Sequence, residues 1–340
     1  MKSSSKRVGE SLSEVHSSVN LPRATQGWWA RLRLFVAFAG PGYLVSVGYM
    51  DPGNWATDLE GGARFGYALI WVILLSSLCA MFLQTLCVRL GIATGKDLAQ
   101  ACRDYFPAFL VWPLWLACEV AIIAMELAEV IGSAVALKLL FGLPLLVGVL
   151  ITALDVFLLL AVMNFGVRKL EALIVGLVAA VALCFAAQVF FAQPDWRAVA
   201  VGTFVPSMPN KEAFAISLGI LGATVMPQNL YLHSSLVQTR RFGDSPTGKT
   251  RAMRYNALDT ILALSAAFFV NAAILVVSAA VFHTRGQGSV SELEQAHSLL
   301  APMLGAPIAA TLFAVALLAS GQSSTITGTL AGQIVMEGFK

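Results

Sequence analysis

The chain has 340 residues, of which 58% are hydrophobic and only 12% charged, with a formal net charge of +3 and a mean hydropathy of +0.77. A water-soluble domain carries about 25% charged residues, so a soluble globular protein is excluded and a polytopic membrane protein is expected. The excess of basic residues is too small and too dispersed for a nucleic-acid partner, and it reads better as a device that orients the chain in a lipid bilayer.

Residues 1–27 are rich in Ser, Lys, Glu and Arg, and a disordered cytoplasmic tail is expected over residues 1–33. It has no apolar core of signal-peptide type, so the first spanning helix would act as the insertion signal. A spanning helix needs about 20 mostly apolar residues. Eight candidates follow, at roughly 35–60, 66–90, 108–137, 143–163, 170–192, 212–237, 256–282 and 299–330. With the N-terminus placed in the cytoplasm, all but five of the 22 Lys and Arg residues fall inside, the exceptions being Arg64, Lys138, Arg197, Lys211 and Arg285. The positive-inside rule therefore predicts an N-in, multi-pass topology. The five cysteines, Cys79, Cys87, Cys102, Cys118 and Cys184, are scattered along predicted helices without metal or disulfide spacing.

The first candidate helix is interrupted by Asp51-Pro52-Gly53-Asn54 and the sixth by Met226-Pro227-Gln228-Asn229. Proline and glycine unwind a spanning helix, and irregular backbone at membrane depth is tolerated only where protein or a cavity surrounds it. An intramembrane Asp marks a functional site by default. Two interrupted helices in corresponding halves of a chain point to a transporter's binding site. Helices one to five (residues 34–193) read as one repeat. Residues 194–340 read as the start of a second, inverted and incomplete one.

The two breaks supply a hard carboxylate from Asp51, an amide oxygen from Asn54, a freed carbonyl such as that of Ala223, and a soft thioether from Met226. Mixed oxygen and sulfur ligation suits first-row transition metals and discriminates against Mg²⁺ and Ca²⁺. In the third candidate helix, Glu119, Glu126 and Glu129 share one face, which suggests a proton relay. Asp155 in the fourth reads as a packing residue. His233, seven residues after Met226, is a further candidate proton carrier, set against the commoner role of a hydrogen-bonded packing histidine.

Several of these segments together resemble the Nramp family: Gly40-Pro41-Gly42, Asp51-Pro52-Gly53-Asn54, Gly222-Ala223-Thr224-Val225-Met226-Pro227, Tyr231-Leu232-His233-Ser234, and the run from Gly321-Gln322-Ser323-Ser324-Thr325 to Met336-Glu337-Gly338-Phe339. The likeness extends over about residues 34–339, and its bacterial MntH-type branch is the nearest in style. The resemblance implies an all-α, LeuT-type inverted-repeat fold in a bacterial cell membrane. It also implies import of Mn²⁺, Fe²⁺ and similar ions driven by protons through alternating access, with no cofactor. It implies Asp51, Asn54, the Ala223 carbonyl and Met226 as metal ligands, with Pro52, Gly53, Pro227 and Gln228 shaping the site. A proton pathway through Asp51, Glu126, Glu129, His233 and Arg240 is likewise implied.

The chain departs from the family pattern in three places. Gln228 stands where many members have His, so it can hydrogen bond but not titrate. Glu126 stands where Asp is common. Counterparts of helices nine and ten are not found in the 340 residues. The alternative expectation is accordingly a membrane-inserted fragment that does not cycle. A carrier of organic solutes is disfavoured by the acid-plus-thioether set. With no phosphate-binding loop or nucleophile–base pattern, neither an enzyme nor ATP drive is expected.

Overall fold

A computed structural model describes residues 16–20, 27–163, 166–243, 245–288 and 290–339. A two-residue strand β1 (Val19–Asn20) precedes helices α1 (Trp28–Phe38), α2 (Pro41–Ser46), α3 (Pro52–Phe65), α4 (Ile70–Thr94), α5 (Leu98–Tyr105), α6 (Ala108–Phe141) and α7 (Leu145–Met163). Then come α8 (Val167–Ala192), α9 (Trp196–Phe204), α10 (Lys211–Thr224), α11 (Pro227–Leu236), strand β2 (Arg240–Arg241), α12 (Pro246–Val281), α13 (Leu293–Leu304) and α14 (Ile308–Phe339).

Among the described residues, six helical segments are long and apolar enough to cross a membrane, or seven if the bent pair Arg31–Phe38 and Pro41–Met50, angled at 45°, is one span. One of the six is the run Pro52–Thr94, of 43 residues. A straight helix of that length would reach about 65 Å, roughly twice the hydrocarbon core of a bilayer. Gly66, at φ 60° and ψ −132°, interrupts it between α3 and α4. The expected fourth span corresponds to α7, whose described apolar part is the shorter Leu145–Leu154. The side chain of Asp155 lies outside the described residues.

The surface is inverted relative to that of a water-soluble protein. Phe82, Phe190, Phe204 and Phe269 are exposed on outer helix faces, whereas Ser46, Ser76, Ser320, Ser324 and Thr325 are buried. That is the arrangement of a bundle solvated by lipid, and the chain is an integral membrane protein. Helix α14 runs through the centre against α6, α8 and α11, while α12 packs on α2, α3, α4 and α8. In the middle of α14, the hydroxyls of Ser323, Ser324, Thr325 and Thr327 satisfy themselves on its own carbonyls. Ser323 Oγ donates to Ala319 O at 2.7 Å and Thr325 Oγ1 to Gly321 O at 2.9 Å. This lets polar side chains lie inside without demanding partners across the interface.

Four expectations need correction. Part of the tail expected to be disordered is ordered: Val19–Asn20 pairs in parallel with Arg240–Arg241, and α1 begins at Trp28. Residues 1–15 and 21–26 lie outside the described residues. The first helix breaks twice rather than once, at Gly40 (φ 137°) as well as at Asp51. The seventh starts ten residues early because Ser245 caps it through Gly248 N–H and Pro246 opens its first turn. The eighth starts at Ile308 rather than 299, because Gly305 (φ 63°) ends α13 in a left-handed turn and Pro307 follows. All five cysteines are free, as their spacing led us to expect.

Close helix crossings rest on glycine. A Cβ on Gly91 of α4 would come within 2.2 Å of the Ser234 carbonyl oxygen on α11, whereas one on Gly176 of α8 would meet nothing within 4 Å. Gly91→Ala is therefore expected to destabilise the folded protein by about 1–3 kcal/mol, and Gly176→Ala to be neutral or stabilising by up to about 1 kcal/mol. Thermal unfolding of the two variants in detergent distinguishes them, and equal melting temperatures would contradict the crossing geometry.

Candidate functional site

The site is built where the two broken helices face each other. Proline has no N–H, so Pro227 cannot donate to the carbonyl of Ala223 four residues earlier, and Pro52 cannot donate to that of Gly48. Each proline is the first residue of a new helix, preceded by an extended residue, Met226 (φ −87°, ψ 123°) or Asp51 (φ −68°, ψ 165°). The carbonyls loosened by the first break are taken up by side chains. Trp55 Nε1 donates to Met50 O at 2.9 Å, Ser320 Oγ donates to the same oxygen, and Asn271 Nδ2 donates to Tyr49 O at 2.6 Å.

Asp51, fully buried, caps α3. Its Oδ1 accepts from the backbone N–H of Asn54 at 2.9 Å and from Asn54 Nδ2 at 2.6 Å. The same amide nitrogen spends its other hydrogen on the freed Ala223 carbonyl at 2.9 Å, and Thr224 Oγ1 approaches Asn54 Oδ1 at 3.2 Å. Three of the four expected ligands thus form one hydrogen-bonded unit across the two breaks. The second oxygen of Asp51, Oδ2, has no well-formed hydrogen bond among the described residues. A buried carboxylate oxygen without a donor is costly unless a cation or proton meets it.

Met226 is buried, and its sulfur receives Asn229 Nδ2 at 3.6 Å. Asn229 was not singled out as a site residue from the sequence. It lies so close to the first break that a Cβ on Gly48 would fall 2.4 Å from its Nδ2. Gln228 is buried with Oε1 unpartnered among the described residues, while Pro227 is exposed at the start of α11. Pro52 packs its ring into α6, where a Cβ on Gly132 would lie 2.4 Å from it. Gly53 leaves room for Asp51 Oδ2, 3.0 Å from where a Cβ would stand.

Beside this unit lie the acids of α6. Glu129 is buried, lies within range of the Asp51 charge, and packs on Gly328 of α14, where a Cβ would sit 3.1 Å from Oε2. Glu126 is half-buried against the same glycine. His233 is fully buried and shares a 2.8 Å hydrogen bond through Nδ1 with Gln84 Oε1. Gln84 in turn donates to the Tyr49 hydroxyl at 2.8 Å. The chain Tyr49–Gln84–His233 therefore connects the two broken helices through α4. Sequence reasoning missed it, since a lone Gln in an apolar helix carries no pattern. It missed Asp58 too, a buried acid of α3 with both oxygens unpartnered among the described residues.

Arg240 does not join the Glu126–Glu129 pair. Its guanidinium is buried at the Gly40 break, where it donates to Glu171 Oε1 of α8 at 2.6 Å and to Ala39 O at 2.7 Å. Arg168 binds the Val36, Ala37 and Ala39 carbonyls of the same helix end. Asp259 of α12 accepts Gly42 N–H at 2.7 Å and Gly40 N–H at 3.2 Å. Only glycine fits at position 40, because a Cβ would lie 2.3 Å from Glu171. These groups clasp the start of the broken helix at the end away from α3.

Among the described residues, no three His, Cys, Asp or Glu side chains converge to hold a metal ion. A metal here would need the mixed set of carboxylate, amide, carbonyl and thioether. Residues 42–340 match the family model described as natural resistance-associated macrophage protein-like (Nramp). The divalent metal cation transporter MntH of Bradyrhizobium diazoefficiens is 59% identical over 333 residues, covering 97% of this chain and 73% of that protein. The MntH of Brucella suis biovar 1 is 55% identical over 332 residues, covering 97% of this chain and 72% of its own length. The crystal structure of the Eremococcus coleocola manganese transporter in complex with an aromatic bis-isothiourea substituted compound superposes with a TM-score of 0.87 at 42% identity, over 97% of this chain and 70% of that one. MHP1, a nucleobase-cation-symport-1 family transporter, shares the fold alone, at 17% identity and a TM-score of 0.61 over 88% of this chain and 66% of its own.

The buried Arg240–Glu171 pair (0% and 5% side-chain exposure) contrasts with the exposed Lys138–Glu294 pair (43% and 40%). Glu171→Ala leaves a buried cation unmatched and is expected to cost about 3–5 kcal/mol. Glu294→Ala is expected to cost under about 1 kcal/mol. Denaturation of both variants in detergent checks the difference.

Proposed function

Because this chain belongs to the Nramp family, whose MntH members are divalent metal cation transporters rather than enzymes, we propose that it imports Mn²⁺, Fe²⁺ and similar ions across the cell membrane together with protons. The observation that carries this reading is the Asp51–Asn54–Ala223 unit bridging two helix breaks, with one buried carboxylate oxygen left open. An arriving ion meets that oxygen, takes the amide and carbonyl oxygens as ligands, and draws the Met226 sulfur from Asn229. The thioether favours Mn²⁺ and Fe²⁺ over the harder Mg²⁺ and Ca²⁺. Manganese is also the substrate named for the Eremococcus coleocola structure.

Protons enter through the same groups. Asp51 and Glu129 lie within electrostatic range, so a divalent charge at Asp51 biases where protons reside, and Glu126 continues the acidic face of α6. Alternating access then amounts to releasing the clasp at Gly40, so that α1 and α2 tilt while α3 stays with the bundle. The ion shifts this equilibrium only through its different affinity for the two states. The MntH relatives and the basic loops support a place in the inner membrane of a bacterium with the N-terminus cytoplasmic.

Uptake of Mn²⁺ into proteoliposomes by the 340-residue chain, with an inward proton gradient, tests the reading. Asp51→Ala is expected to weaken Mn²⁺ binding by more than about 100-fold, roughly 3 kcal/mol, and to abolish uptake. Normal uptake by this variant would remove the site. Met226→Ala is expected to retain Mn²⁺ transport but admit Ca²⁺ or Mg²⁺, and an unchanged competition profile would remove the thioether's role. A well-inserted chain that binds Mn²⁺ without moving it would favour the non-cycling fragment instead.

A further inference from the structure

Asp58 has no part in the mechanism above, and its surroundings are unusual. It is 1% exposed, and neither carboxylate oxygen has a hydrogen-bond partner among the described residues. It follows Asp51 by seven residues on α3, so the two acids share a helix face about 10 Å apart along the axis.

The other titratable groups on α3 and on the elements packed around it stand off. Glu60 and Arg64 of α3 pair with each other at 3.3 Å on the outer face. The α10 helix carries Lys211 and Glu212 in its first turn only, α12 has no charged residue between 260 and 281, and the only charged residue of α14 is Glu337, near its end. The 3-10 turns flanking this end contribute Tyr67, His283 and Arg285. From α6 come Glu119, Glu126, Glu129 and Lys138, of which Glu129 is the buried neighbour of Asp51. Among the described residues none supplies Asp58 with a counter-ion, and no backbone amide or hydroxyl supplies it with a donor. An ionised carboxylate in such a place bears the full desolvation cost, which the neutral acid largely escapes.

We propose that Asp58 carries a proton in the metal-free protein and releases it when a divalent cation occupies the site around Asp51. Asp58 is thereby a second proton-carrying group of the transport reaction. This inference rests on the reading of the Asp51 site given above. The step is a simple ionisation. The O–H bond of the Asp58 carboxyl breaks, the proton leaves on water carried in with the ion's hydration shell, and the carboxylate that remains is stabilised by the nearby double positive charge. Before the ion arrives, a charge on Asp51 opposes the same ionisation. Metal binding and proton release are therefore linked through one helix face rather than through direct contact.

Two measurements on the purified full chain test this. The first is infrared spectroscopy at neutral pH. Buried protonated carboxylic acids absorb in one carbonyl-stretch region, and the component that belongs to Asp58 is expected in the wild type, missing from Asp58→Asn, present again in Asp58→Glu, and lost from the wild type on adding MnCl₂. The second is calorimetry of MnCl₂ binding in buffers of different ionisation enthalpy. Metal binding to such a site releases protons, and Asp58→Asn, which mimics the neutral acid, is expected to release about one fewer per ion. Asp58→Glu is expected to restore that proton. A carbonyl-stretch region that Asp58→Asn leaves unchanged, a component that Mn²⁺ does not move, or unchanged proton release each overturns the proposal. If the wild-type chain binds no Mn²⁺, the reading of the Asp51 site has failed. The infrared band then decides by itself whether Asp58 holds a proton.

Discussion

Two missing amide hydrogens organise this molecule. At Pro52 and Pro227 the backbone cannot complete its helical ladder, and in a lipid-solvated bundle water is not at hand to complete it. Each loosened group has to be answered by protein: at the first break Trp55 answers locally and Asn271 and Ser320 from far along the chain, and Asn54 answers at the second. The helices that supply these partners are thereby fixed around the breaks. The same constraint brings Asp51, Asn54 and Ala223 into one unit, so fold and site share a cause.

The rest of the architecture can be read as support for that junction. Glycines 48, 53, 91 and 132 let neighbouring side chains or backbones approach where a methyl group would collide. The hydroxyl-rich centre of α14 places polar atoms next to the breaks and pairs them to its own carbonyls. The lipid-facing surface carries the large apolar side chains. One interior polar seam runs from Asp58 past Asp51 to the acids of α6, and a second buried polar cluster of Arg240, Glu171 and Asp259 lies at the Gly40 break.

Much of this seam was legible in the sequence, because proline, glycine and a carboxylate at membrane depth are rare and mechanically explicit. The two breaks stand where the motifs put them, Asp51, Asn54 and Ala223 meet across them while Met226 contacts Asn229, and the shared face of Glu126 and Glu129 follows from helical spacing alone. What escaped were partnerships between distant helices. Gln84 and Asn229 are single amides whose importance lies in what faces them, and Asp58 was hidden among the ordinary residues of an amphipathic segment. Arg240, assigned to the proton route by resemblance, is bound to Glu171 and Ala39 at the Gly40 break, partners the sequence did not announce. Helix starts at 246 and 308 were misjudged because a Ser-Pro cap and a left-handed glycine outweigh apolar periodicity.

The clasp at Gly40 has a bearing on how the protein would respond to its medium. Dissolved ions weaken attractions between charges that water can reach, over distances of about 10 Å at 0.1 M ionic strength. The Arg240–Glu171 contact is sealed from water on both sides, whereas Lys96–Asp104 and Lys138–Glu294 are open to it. Raising the salt concentration therefore loosens the periphery, the exposed Arg168 included, more than it does the Arg240–Glu171 fastening of the first helix. The strength of that fastening is set by the interior of the protein and not by the composition of the water on either side of the membrane.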